Sequence, residues 1–156
     1  MKTKDVRLAL GLLAWVCGAS QAMAVQETRL AGQAMHCAAI FSVLAQAFSN
    51  DPDKGPRFSK AVAVLSEVYL KEQPPSTESG VLAAAVQRRS EAVKALHAAW
   101  PSQGAALRED GVMCGAWVEG FLGQGDWYQF VPVYPKVVAP HVRGQYQTLL
   151  EEAMRR

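Results

Sequence analysis

Cysteines stand at positions 17, 37 and 114 of this chain, and which of them can pair limits how the rest can fold. Lys2, Lys4 and Arg7 give a positive start, and Leu8 to Val16 is an apolar run too short to span a bilayer. Ala22-Met23-Ala24 then offers a small-residue cleavage pattern. Together they have the anatomy of a Sec-type signal peptide, with cleavage expected after Ala24. Cys17 leaves with that peptide, and the bulky Trp15 and Val16 before it do not suit a lipidation site. Two cysteines remain in a chain bound for the periplasm or for secretion, so Cys37 and Cys114 are expected to pair. Their bridge would close a loop of about 78 residues, worth roughly 4–5 kcal/mol on chain-entropy reasoning. That is comparable to the net stability of a small domain.

Residues 1–24 are therefore set aside as signal, and 25–156 are read as a single helical domain. Charge excludes one class of function. The whole chain has 16 Lys+Arg and 14 Asp+Glu. Removing Lys2, Lys4, Arg7 and Asp5 leaves 13 of each. A nucleic-acid binder needs a basic face to neutralise phosphates. The longest basic runs here are the pairs Arg88-Arg89 and Arg155-Arg156. Beyond the signal, no apolar run is long enough to predict a membrane span.

Apolar periodicity predicts an all-α fold of about five helices. Leu30, Ala34, Cys37, Phe41, Leu44 and Phe48 recur at helical spacing across residues 27–48, with Ala31, Ala38 and Ala45 beside them. Turn formers from Asn50 to Pro56 end that helix. A second helix is predicted over 57–71, with Phe58, Val62, Leu65 and Tyr69 on one face. A third, over 81–100, aligns Leu82, Val86, Arg89, Val93, Leu96 and Trp100 inward, and Pro101 is expected to end it. A fourth covers 105–122, with Leu107, Cys114, Trp117 or Val118, and Phe121 facing inward. Its Gly111 and Gly115 lie four apart, which points to a close helix neighbour. With the bridge, that neighbour is expected to be the first helix. Pro132, Pro135 and Pro140 make 127–140 an extended strap, and a last helix follows over 141–153.

Residues 107–134 hold six aromatics: Trp117, Phe121, Trp127, Tyr128, Phe130 and Tyr134. Tyrosine and tryptophan give large contact areas with a polar tip. Trp127, Tyr128, Phe130 and Tyr134 are therefore the candidate binding surface, although a strap over a helical core would use the same letters.

Catalytic signals are sparse. The chain has no C-x-x-C, C-x-x-C-H, H-E-x-x-H or G-x-S-x-G. His36 and Cys37 are adjacent on a helix and so diverge by about 100°, which opposes a shared metal. Metal and cofactor are both expected to be absent. Glu119, between Trp117 and Phe121, is the one candidate general acid for cleaving cell-wall glycan, with Asp110 or Asp126 as its partner. Arg89 could hold an anion or lie at the edge of its stripe with its head in water.

These features point first to a non-catalytic protein that binds another envelope or secreted protein, in an inhibitory, immunity or assembly role. The alternatives are a small glycan-acting enzyme using Glu119 and a carrier of a small apolar ligand.

Overall fold

The computed structural model describes residues 27–73, 78–122 and 138–156. They form four helices: α1 (Arg29–Ala47), α2 (Lys54–Lys71), α3 (Glu78–Leu122) and α4 (Pro140–Arg155). No strand occurs among the described residues.

α1 is the centre of the fold and touches each of the other three helices. Ten of its 19 residues are buried, including the unbroken run Cys37, Ala38, Ala39, Ile40 and Phe41. Five consecutive residues circle the helix more than once, so α1 has no solvent face there, where the sequence predicts a single inward stripe. Contrary to the expectation that no run beyond the signal is long enough, α1 is long and apolar enough to cross a membrane, a test that a mostly buried core helix passes equally well. Thr28 caps it, accepting from the Ala31 amide at 3.1 Å. The same hydroxyl donates to Glu72 just past α2 at 3.0 Å, which closes an antiparallel α1–α2 hairpin.

At the other end of the hairpin, Asp51 accepts from the amides of Asp53 and Lys54 at 3.1 and 2.8 Å. The Lys54 ammonium and these amides hold the Asp51 carboxyl down at about 2. Gly55 starts α2 so close to the end of α1 that a Cβ there would lie 2.9 Å from the Phe48 carbonyl. The α1–α2 turn is therefore shorter than the sequence predicts, and Pro56 falls inside the first turn of α2.

The sequence predicts two helices over 81–100 and 105–122. They run on as α3 but meet at a kink at Gln103, where a φ of −121° and a ψ of 15° are not helical, so the break expected between them is present. Pro101 does not end the helix. The irregularity falls two residues later, and it divides α3 into unequal halves. Before the bend only Ala85 and Leu96 are buried among the described residues. After it Leu107, Val112, Cys114, Trp117 and Val118 all are. Leu82 and Val86, predicted to face inward, are 57% and 50% exposed. The spacing correctly put them on one stripe, but no described helix covers that stripe near its start.

Cys37 and Cys114 are bonded, with Cα atoms 5.3 Å apart and both residues fully buried. The bridge fastens α1 to the second arm of α3. The glycines of that arm serve a different neighbour from the one expected. A Cβ on Gly111 would meet Leu150 Cδ2 at 2.9 Å, and one on Gly115 would overlap the Tyr146 ring. Gly111 and Gly115 therefore form a groove that receives α4, while α1 packs on the cysteine face. Pro140, assigned to the strap from the sequence, is the first residue of α4, where its missing N–H has no role. The rest of the strap lies outside the described residues.

Aromatic rings join the layers. Phe41 of α1 meets Phe58 of α2 and Tyr146 of α4, each at 5.8 Å between centroids. Phe48 meets Phe58 at 5.9 Å. Arg156 donates to the Ala47 carbonyl at 2.8 Å and lies over the Phe48 ring, satisfying one of the unpaired carbonyls at the end of α1.

Two glycine substitutions should have opposite signs. Gly115→Ala gains up to about 1 kcal/mol of helix propensity but drives a methyl into the buried Tyr146 ring. Overpacking of that kind costs roughly 1–3 kcal/mol, so net destabilisation of about 1–2 kcal/mol is expected in urea unfolding. Gly144 has nothing within 4 Å of its added Cβ, and Gly144→Ala should stabilise by up to about 1 kcal/mol.

Candidate functional site

Glu119 is the one residue of catalytic interest that the fold places at a junction. It projects from the second arm of α3 between α2 and α4. Arg57, in the first turns of α2, donates from Nη2 to Glu119 Oε2. Tyr146, at the middle of α4, donates its hydroxyl to Oε1 at 2.7 Å. Each partner is placed by core packing. Phe58 anchors the start of α2 against Phe41, and the Gly115 notch admits the Tyr146 ring beneath Glu119.

The electrostatics follow from that clamp. The bond to Glu119 raises the Arg57 guanidinium further above its usual value, against the pull of desolvation. Burial is the main cause that pushes the Tyr146 phenol well up, and the neighbouring Glu119 carboxylate adds to it. The phenol is therefore a fixed donor, and the cluster joins three helices through one carboxylate.

A glycosidase acid needs a carboxyl oxygen free to protonate a leaving group, with a second carboxylate across the cleft. Both Glu119 oxygens accept from protein donors. Asp110 cannot be the second group. It lies nine residues earlier on the same helix, about 13 Å along the axis and half a turn round. Its carboxylate instead accepts from His36 Nε2 at 3.0 Å. Asp126 lies outside the described residues.

The other expected site residues fall as follows. Cys37 is committed to the disulfide and His36 is turned to Asp110, so the two do not converge. No group of three His, Cys, Asp or Glu side chains able to hold a metal ion occurs among the described residues. Arg89 lies at the edge of its stripe and donates to Ser66 Oγ on α2 at 3.2 Å. Trp127, Tyr128, Phe130 and Tyr134 lie outside the described residues. Among the described residues, the exposed large apolar side chains are Leu82 and Val86, one turn apart on the first arm of α3.

Arg57 and Tyr146 as partners of Glu119, and Asp110 as partner of His36, were not anticipated. These pairings span 62, 27 and 74 positions. The local signals were present only as single letters: an inward tyrosine on the last helix and an arginine before Phe58.

No family model, no curated protein and no solved structure matches this chain.

The clamp has a thermodynamic signature. Tyr146→Phe removes a donor from a half-buried carboxylate and should lower unfolding free energy by about 1–2 kcal/mol. Glu119→Ala should then cost less in the Tyr146→Phe background than in the wild type, because the two share one interaction. Additive losses in urea unfolding would show that the hydroxyl and the carboxylate act independently.

Proposed function

We propose that this chain is an exported, disulfide-braced, non-catalytic module that binds another protein of the cell envelope or secreted space, in an inhibitory, immunity or assembly role. The observation that carries this reading is the exposure of Leu82 and Val86. Burying a side chain of this size is worth about 1.5–3 kcal/mol, and no described residue of this chain takes that gain. The two residues lie at i and i+4, the spacing with which a helix presents anchors to a groove. Export is supported by the buried Cys37–Cys114 bridge, which belongs to an oxidising compartment, and by the signal-like residues 1–24.

The engagement of Glu119 in the α2–α3–α4 clamp, and of Asp110 with His36, weighs against the glycan-acting alternative. Trp127, Tyr128, Phe130 and Tyr134 stand as a second candidate face for the same partner.

Leu82 and Val86 are exposed, so changing them should leave the fold intact. Oxidised protein lacking residues 1–24 is used as bait in envelope extract, beside Leu82→Ser/Val86→Ser and Trp127→Ser/Tyr134→Ser variants of matched thermal midpoint. The expected outcome is a partner held by wild type whose affinity, remeasured with the purified pair, falls about tenfold or more in the Leu82/Val86 variant. Equal affinity for wild type and both variants would contradict the assignment of these faces, and no partner at all would contradict the binding role.

A further inference from the structure

A cleft of about 260 Å³ opens between α1 and the first arm of α3. Its floor is apolar and buried: Met35, Leu96 and Leu107. Its walls stay open because they are built of small residues. Gly32 lies on α1, and Ala92, Ala95 and Ala99 recur at helical spacing on α3. Two polar side chains line it, Arg88 and His36, and His36 is bonded on its outer side to Asp110 at 3.0 Å.

A carboxylate already stands at the Arg88 end. Glu27, two residues before α1, places Oε2 at 3.3 Å from Arg88 Nη2. The same oxygen lies 3.7 Å from where a Cβ on Gly32 would be, so it borders the cleft wall. Glu27 is poorly served there. Its only described bond is long for a charged pair, and its Oε1 is buried with no hydrogen-bond partner among the described residues. Arg88 uses one N–H of a guanidinium that has five, in a planar fork shaped for two-point contact with a carboxylate.

We propose that the cleft binds a small monocarboxylate with an apolar tail, of the short- or medium-chain fatty-acid class, whose head displaces Glu27 from Arg88. The tail lies along the alanine wall above Met35, Leu96 and Leu107. At about 260 Å³ the cleft falls just below the usual range of ligand sites, about 300 to 1,000 Å³, so phospholipids, sterols and folded peptides are too large. Asp110 behind His36 places negative charge at the other end of the cleft, which disfavours a second anionic group on the ligand. Specificity is thus for one acid head and one neutral tail.

The test is a titration of the oxidised, isotope-labelled chain with octanoate, with 1-octanol as its neutral twin and suberate as its two-headed analogue, followed by amide NMR. Octanoate should shift the Gly32, Ala92, Ala95 and Leu107 amides saturably, with a Kd about tenfold below those of the alcohol and the diacid. Arg88→Gln should erase the preference for acid over alcohol. Glu27→Gln should tighten octanoate severalfold by removing the competitor. Ala95→Leu, at an exposed wall position, should weaken octanoate and octanol alike by filling the space. Equal Kd values for octanoate and octanol, unchanged octanoate affinity in Arg88→Gln, shifts mapping elsewhere, or no saturable shift at millimolar ligand would each overturn the proposal.

Discussion

Everything in this fold leans on the enclosure of α1. Through residues 37–41 this helix is buried around its whole circumference and has no polar face to fall back on, so it is stable only while α2, the second arm of α3 and α4 surround it. Each neighbour is fastened by a different device. α2 is tied at both ends of the hairpin, through Thr28 to Glu72 and through the Gly55 contact with Phe48. α3 is tied covalently at Cys37–Cys114. α4 reaches α1 through the Tyr146 ring against Phe41, and Arg156 closes over the last carbonyls. Phe41 is the hub, because its ring meets those of both α2 and α4.

The second arm of α3 has two jobs that its residues divide by face. Cys114 serves α1, and Gly111 with Gly115 receives α4. Glycine would weaken an isolated helix, and here the lost propensity is offset by the close seating of Tyr146 and Leu150. Glu119, one turn beyond Gly115, then completes the junction by bonding Arg57 and Tyr146. The carboxylate that the sequence offers as a candidate general acid is a fastening of three helices. The first arm of α3 is different in kind. It buries little, exposes Leu82 and Val86, and borders the cleft at Arg88. The bend at Gln103 separates a structural half from a half that faces outward, and both binding proposals fall on the outward half.

Much of this could be read from the letters. Cysteine count behind a signal-like start identified the bridge, and apolar spacing located every described helix to within a few residues. What could not be read was the identity of neighbours. Periodicity reports that Leu82 and Val86 share a stripe, but whether anything covers that stripe depends on the rest of the fold. The glycine pair signalled a close approach, and the shared bridge made α1 the natural candidate, although a helix can present cysteine to one neighbour and glycine to another. Pro101 read as a terminator because a residue before proline avoids helical geometry, yet the chain stays helical through it and bends at Gln103. The partners of Glu119 and His36 lie too far along the chain for local pattern to pair them.

Native-state hydrogen exchange, followed amide by amide in oxidised protein, tests the enclosure of α1 most directly. Amides of 35–44 in α1 and 112–118 in α3 should exchange only through global unfolding, with opening free energies equal to that from denaturant titration. Reducing the Cys37–Cys114 bond should lower both sets together, by about 4 kcal/mol, while amides near Leu82 and Val86 exchange by local opening in either state. If the α1 amides instead exchange through low-energy local opening, or if reduction leaves their protection unchanged, α1 is not the enclosed centre on which the other helices depend.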